Sequence, residues 1–352
     1  MGGDLLTAVA AAAASSSLAA TGVVGRNRLR RSGAARAEVK VRPILFAAID
    51  AGAFDPKVTD TLTRTEDRAL QAQARSLLPK LRGADRDTLG RLLERWGAVD
   101  AARRQGGSRW AATRARAGEF LGDSGSPAAV RDLVDLLHDP DPRVRWSAAR
   151  GLGRLGHPSA LSPLLGCLEG ARAMPVDVVA DAVFQIRDCP TAVLRQGLRS
   201  SAVPTRAIAV ELLGRFQALA LTSIDEVIDR LQHDPSVEVR ARAARALGRM
   251  GSPRAVDALM DSVNDGPVAM RVQAVWALGE IGAPRSVATL EALLLGPARQ
   301  MAEIAAAALT AMGPVGATAL HQAAGMGGQP AKAAAQALAD RADRTGLVPS
   351  RA

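Results

Sequence analysis

Tyrosine is absent from this 352-residue chain and aromatic residues make up only 3%, so any core must be built from Ala, Leu and Val. Cysteine is scarce too. Two thiols cannot staple a fold of this length, which excludes a disulfide scaffold and fits a reducing compartment. Lysine is nearly missing: of 45 basic residues only Lys40, Lys57, Lys80 and Lys332 are lysine. Such an Arg and Ala bias is commonly mutational, so the net charge of +10 is weak evidence for nucleic-acid binding. The charge is also uneven. Residues 26–118 hold 21 basic against 10 acidic side chains, whereas residues 119–352 hold 24 of each. A nucleic-acid grip needs clustered positive charge on the binding module, and the larger part of the chain lacks it. Apolar residues reach 48%, enough to bury a sizeable core and too many for a mostly disordered protein.

Signatures of catalysis are missing as well. There is no G-x-x-x-x-G-K-[ST], and no G-x-G-x-x-G opens a helix. The four histidines are His138, His157, His233 and His321. His138 and His233 each precede an Asp-Pro turn, so they recur because the surrounding pattern recurs, and they read as exposed turn residues rather than metal ligands. Cys167 and Cys189 stand 22 apart with no second pair nearby and read as buried structural thiols. No catalytic residue, metal, cofactor or small-molecule substrate is expected, and the chain reads as non-enzymatic.

What is present begins at the N-terminus. Residues 5–25 form 21 positions without a charge, about 31 Å as a helix, close to the ~30 Å of a bilayer core. Only Asp4 precedes the run, while Arg26, Arg28, Arg30, Arg31, Arg36, Lys40 and Arg42 follow it. A cleavable signal peptide carries its basic residues before the apolar run. The flanks therefore favour a transmembrane anchor with everything after residue 25 in the cytoplasm, over a signal peptide or an Ala-rich tail. The localisation that follows is a single-pass protein of the inner (plasma) membrane.

The rest of the chain repeats itself at about 31 residues. WSAARGLGRLG ends at Gly156, RAARALGRMG at Gly251, QAVWALGEIG at Gly282 and AAAALTAMG at Gly313, and RARAGEFLGDSG ends at Gly125. An arginine stands eleven before four of these glycines: Arg114, Arg145, Arg240 and Arg271. A leucine stands four before all five. Between Gly156 and Gly251 there is room for two degenerate copies, one marked by Arg206, Ala209 and Leu213. Each copy reads as a helical hairpin. A Pro-started amphipathic helix is followed by an Asp-Pro or Gly-Pro break and then a second helix, which the closing Gly ends. One hairpin cannot bury its own apolar face, whereas a stack of them can.

The pattern D-P-x-V-R-x-x-A-A-x-A-L-G-x-L-G resembles the bacterial HEAT-like repeat, the short type first described in phycobilin lyases, over about residues 108–343. The resemblance implies an all-α fold: a right-handed α-solenoid of about seven hairpins, preceded here by an N-terminal helical cap and the single transmembrane helix. The expected domains are a short tail at 1–4, the anchor at 5–25, a basic juxtamembrane linker at 26–42, the cap at 43–107, the solenoid at 108–343 and a disordered tail at 344–352. The whole arrangement also resembles membrane-anchored HEAT proteins of high-GC bacteria, whose genes often neighbour membrane glycosyltransferases.

The repeat arginines are expected to pair with turn acids such as Asp139, Asp141, Asp234 and Asp265, forming an internal ladder. Positions on the second helix that point away from the core are more informative. Register places Arg116, Ser147, Arg242 and Gln273 in one column, and Glu119, Arg150, Arg245 and Trp276 in the next. Arg and Trp are favoured interface anchors, so Arg116, Arg150, Arg242, Arg245, Gln273 and Trp276 are the candidate partner-binding residues. The leading function is a membrane-anchored scaffold that binds a partner protein, such as a membrane glycosyltransferase, at the cytoplasmic face. The alternatives are a HEAT-like enzyme, similar to a phycobilin lyase or a DNA glycosylase, and a nucleic-acid binder.

Overall fold

The computed structural model describes residues 35–51, 61–81, 83–186 and 188–345. Every regular element among them is helical, and the chain divides into two compact units between His157 and Pro158. The segment 5–25, expected to be a transmembrane helix, lies outside the described residues. Among the described residues no helix is long and apolar enough to cross a membrane. The expected fold class is corrected accordingly to an all-helical solenoid with no spanning helix among the described residues, and the expected single-pass inner-membrane localisation finds no support in them.

The first unit opens with helix α1 (residues 35–50), whose Ala37, Val41, Leu45, Ala48 and Ile49 are buried. Their spacing of three and four puts them on one stripe. Residues 35–42, assigned from sequence to a linker, are thus part of a packed helix. Lys40, expected in the basic juxtamembrane cluster, instead reaches Glu66 at 2.7 Å. Glu66 belongs to helix α2 (Arg64–Leu77), where Thr63 and Glu66 close a reciprocal capping box. The Lys40 hydrogen bond, followed by the Thr63 backbone and hydroxyl bonds, lowers the Glu66 carboxyl to about 2. Helix α3 (Gly83–Arg95) supplies Leu89, Leu92 and Leu93 to a cluster with α1 and α2, and Phe120 packs against that cluster.

Phe120 lies on α5 (Ala111–Asp123), which follows the short α4 (Ala98–Gly106). Helices α6 (Ala129–Leu136) and α7 (Pro142–Leu155) form the next hairpin. Gly122 of α5 and Gly151 of α7 touch so closely that a Cβ on Gly122 would come 2.2 Å from the Gly151 Cα.

The second unit comprises α8 (Leu161–Gly166), α9 (Val176–Val183), α10 (Thr191–Leu198), α11 (Val203–Arg215), α12 (Gln217–His233), α13 (Val237–Met250) and α14 (Val256–Asp265). It continues through α15 (Val268–Ile281), α16 (Val287–Leu294), α17 (Arg299–Ala311), α18 (Pro314–Ala324) and α19 (Gly328–Thr345). The degenerate region is where the helices are short, with α8 only six residues long and α9 and α10 eight each. Elsewhere α11, α13, α15 and α17 are the second helices of successive hairpins. Their stacking uses a second glycine of the repeat, distinct from the closing one. A Cβ on Gly214 would meet Ala246 at 2.6 Å, one on Gly248 would meet Ala277 at 2.8 Å, and one on Gly279 would meet Ala308 at 2.8 Å. The closing glycines Gly251 and Gly282 have φ of 64° and 68°, the left-handed turn that ends each second helix.

The arginine ladder is present at two of the four expected acids; Asp141 instead accepts from the Arg143 backbone at 2.8 Å, and at the Asp265 turn Arg271 donates to the Val263 carbonyl at 2.9 Å. Arg114 holds Asp139 through Nε at 2.6 Å and Nη2 at 2.8 Å, and Arg206 holds Asp234 at 2.8 and 2.9 Å. The next repeat's arginine grips the same turn from its other side, donating to a backbone carbonyl: Arg145 to Asp139 at 2.9 Å, Arg240 to Asp234 at 2.6 Å. Each rung therefore ties one second helix to the turn that opens the next.

Candidate binding surface of the second helices

Positions two, five and nine after each repeat arginine are spaced by three and four, so they share a face of the second helix. On α13 they are Arg242, Arg245 and Arg249, and on α15 they are Gln273, Trp276 and Glu280. On α11 the first is Ile208, which is buried, and the others are Glu211 and Arg215. Here lies a cavity of about 580 Å³, lined by Glu211, Glu238, Arg242, Arg245, Arg249 and Gln273 on its polar side and by Val237, Ala241, Ala246 and Ala269 on its apolar side.

Glu211 organises this cavity. Its Oε2 accepts from Arg242 Nη1 at 2.6 Å, and its Oε1 faces Arg249 Nη1 at 3.9 Å. Arg242 also holds Glu238, one helical turn back, at 3.0 Å. Arg245 forms no ion pair among the described residues, and its side chain is exposed. Three arginines therefore face two carboxylates, and the arginine in the middle of the column is uncommitted. Across the Glu211–Arg249 pair lies a second cavity of about 640 Å³, lined by Phe184, Gly214, Arg215, Gly248 and Glu280 as well as that pair. Its charge is balanced, and Arg215 stacks over the Phe184 ring at 5.7 Å.

Of the candidates read from sequence, the structure brings Arg242, Arg245 and Gln273 to one cavity. Trp276 is 42% exposed on α15 but does not line it. Arg116 and Arg150 are exposed on α5 and α7 of the first unit, while Ser147 is buried and donates to the Ala115 carbonyl at 2.6 Å. Glu211, Arg249, Arg215 and Glu280 were missed. The register that identified Arg245 also contains Glu211, five after Arg206, but the degenerate copy obscured it. Phe184 carries no repeat signal at all.

Other chemistry is sparse among the described residues. No three His, Cys, Asp or Glu side chains there converge as metal ligands would. Burial pushes the Cys189 thiol up to about 11. His138 and His233 are exposed, with His233 Nδ1 3.1 Å from Asp229. Trp110 and Trp146 stand 62% and 37% exposed.

The HEAT repeats family matches residues 107–182, 191–269 and 224–311, together more than half of the chain. The alpha subunit of a phycocyanobilin lyase from Picosynechococcus sp. is 31% identical over 152 residues, 43% of this chain and 49% of that one. A HEAT repeat-containing taxis protein of Halobacterium salinarum is 30% identical over 161 residues, 44% of this chain and 35% of that one. The chain thus spans half or less of the length of these curated relatives. Among solved structures, Kap121p matches with a TM-score of 0.52 at 13% identity, over 79% of this chain and 36% of that one, a likeness of fold alone. Similarity to a lyase subunit overturns the expectation of a non-enzymatic chain, and the exclusion of a small-molecule ligand falls with it.

Proposed function

This chain belongs to the HEAT-repeat family, and we propose that within it the chain serves as a binding subunit of the phycobilin-lyase kind. A HEAT repeat scaffold presents a side-chain array on rigid helices, and here that array is the face of α11, α13 and α15. The observation that carries the reading is the convergence of Arg242, Arg245 and Arg249 on one cavity with an apolar wall of Val237, Ala241 and Ala269. A bilin is an extended apolar skeleton bearing carboxylates. Guanidinium groups pair with carboxylates bidentately, and the apolar wall suits the skeleton. Similarity to a protein named as one subunit of a lyase supports a role beside a second protein.

The experiment is to incubate the full chain with phycocyanobilin and follow the pigment's visible spectrum and its co-elution with protein. The expected result is stoichiometric co-elution, reduced at least tenfold in Arg242→Ala/Arg245→Ala. Absence of binding by the folded wild-type chain overturns the reading.

A protein-partner surface is the second reading, favoured by Val268 and Trp276, which are 65% and 42% exposed on α15. Trp is a favoured anchor at protein interfaces. Loss of a co-purifying protein in Trp276→Ala, with no pigment binding in wild type, would select it.

A further inference from the structure

Glu211 sits where a ligand's anionic group would sit. It is 22% exposed, held at 2.6 Å by Arg242 and approached to 3.9 Å by Arg249, and it lines both cavities. The arginine between those two on the α13 face, Arg245, has no carboxylate to itself. Arg242 is itself divided between two acids, Glu211 at 2.6 Å and Glu238 at 3.0 Å. The two side chains of the Arg242–Glu211 pair are 39% and 22% exposed, so water screens the pair and exchanging one carboxylate for another costs little.

We propose that the α11–α13 cavity is a site for an anion with an apolar body, and that Glu211 is its built-in counter-ion, a positioning residue that holds Arg242 and Arg249 until the ligand's own anionic group takes them over. The proposal rests on the placement of the site above and adds its selectivity. The apolar body lies on Val237, Ala241 and Ala269, and the anionic group enters from the Arg245 side, where a cation is already free. Arg242 then turns from Glu211 to the ligand. Glu238 keeps hold of Arg242 from the rim, so the guanidinium stays at the cavity mouth throughout the exchange. No covalent change is involved. An anion must therefore compete with Glu211, and removing that competitor should strengthen binding, the opposite of what loss of a structural ion pair would do.

The test uses the full chain and 1-pyrenebutyrate, an aromatic carboxylate, against the neutral 1-pyrenebutanol, with binding followed by pyrene fluorescence. The wild-type chain should prefer the carboxylate. Glu211→Gln should bind it about threefold to tenfold more tightly, matching removal of one nearby like charge at high effective dielectric. Glu238→Gln, which frees the same arginine from the exposed rim, should shift affinity in the same direction by a smaller factor. Arg245→Ala should weaken it about fivefold, with the alcohol unaffected by any of these changes. Should Glu211→Gln lose its helical circular dichroism, Glu238→Gln alone decides the direction. Weaker or unchanged carboxylate binding in a folded Glu211→Gln or Glu238→Gln, or equal binding of acid and alcohol by wild type, overturns the proposal. The lyase reading is judged separately, on the pigment.

Discussion

Asp234→Ala tests whether the ladder holds the second unit together. The Asp234 side chain is fully buried, and that of its partner Arg206 is 7% exposed. Two charge-assisted hydrogen bonds of 2.8 and 2.9 Å join them, and Asp234 Oδ1 also accepts from the Ser236 backbone at 2.9 Å. Truncating the acid leaves the guanidinium buried with only its Nη1 satisfied, by the Ser200 and Ser201 carbonyls at 3.0 Å each. Removing one member of a buried pair costs about 3–5 kcal/mol, because an uncompensated charge remains in low dielectric. Asp139→Ala removes the equivalent rung, where the side chains of Arg114 and Asp139 are 14% and 7% exposed, and should cost less, about 2–3 kcal/mol. Urea unfolding followed by circular dichroism measures both. The double replacement Arg206→Met/Asp234→Leu should recover most of the loss, since it strands no fully buried charge; Arg230, which also reaches Asp234 at 3.5 Å, is 25% exposed and keeps Asp229. A loss under about 1 kcal/mol in Asp234→Ala would refute the ladder as a stabilising device. The same pair makes stability pH-dependent. Burial by itself pushes the Asp234 carboxyl up, but hydrogen bonds from Arg206 and the Ser236 backbone outweigh it and hold the group below its ordinary 3.8. A depressed carboxyl contributes stability that is fully present above the unfolded value and is lost as pH falls through the folded one, so the contribution should fade below about pH 4.

Further predictions concern other residues. Glu66 titrates near 2, so its contribution to the first unit should persist at neutral pH, decline as pH falls from about 4.5 toward 2, and be absent from the pH profile of Glu66→Gln. Gly279→Ala puts a Cβ 2.8 Å from the Ala308 Cα, and helix stacking should lose about 1–3 kcal/mol of stability in urea despite the ~1 kcal/mol gain in helix propensity. Cys189 should resist iodoacetamide at pH 8 in the folded chain, because burial keeps its thiol protonated and shielded, while unfolding in urea should expose it; rapid native labelling at Cys189, read by peptide mass spectrometry, would contradict that burial.

The repeat was legible because each unit meets the same physical demands. Leu152, Leu247 and Leu278 are fully buried, and the closing glycines take a left-handed conformation that other residues adopt at a cost, so both recur at fixed spacing. The arginine ladder was legible for the same reason, since every rung needs one cation and one turn acid. Arg242, Arg245 and Gln273 were found by extending that register to the open face. Glu211 was hidden because its copy departs from the 31-residue spacing, and Phe184 because a single aromatic at the end of α9 belongs to no period.

Periodicity by itself determined the all-helical class, the boundaries of the better-kept hairpins and the ends of their second helices, because these depend on interactions within a repeat or with its neighbour. Charge order in the first forty residues was read as membrane topology. For Lys40 that reading failed, since a side chain's partner depends on what packs beside it, and α2 brings Glu66 within 2.7 Å. Only the tertiary structure decided that Gly214, Gly248 and Gly279 mark contacts between helix backbones. Only it, too, decided which charges on the open face are already paired. Glu211 and Arg242 are 31 residues apart, and no local rule joins them; the stacking of α11 on α13 does.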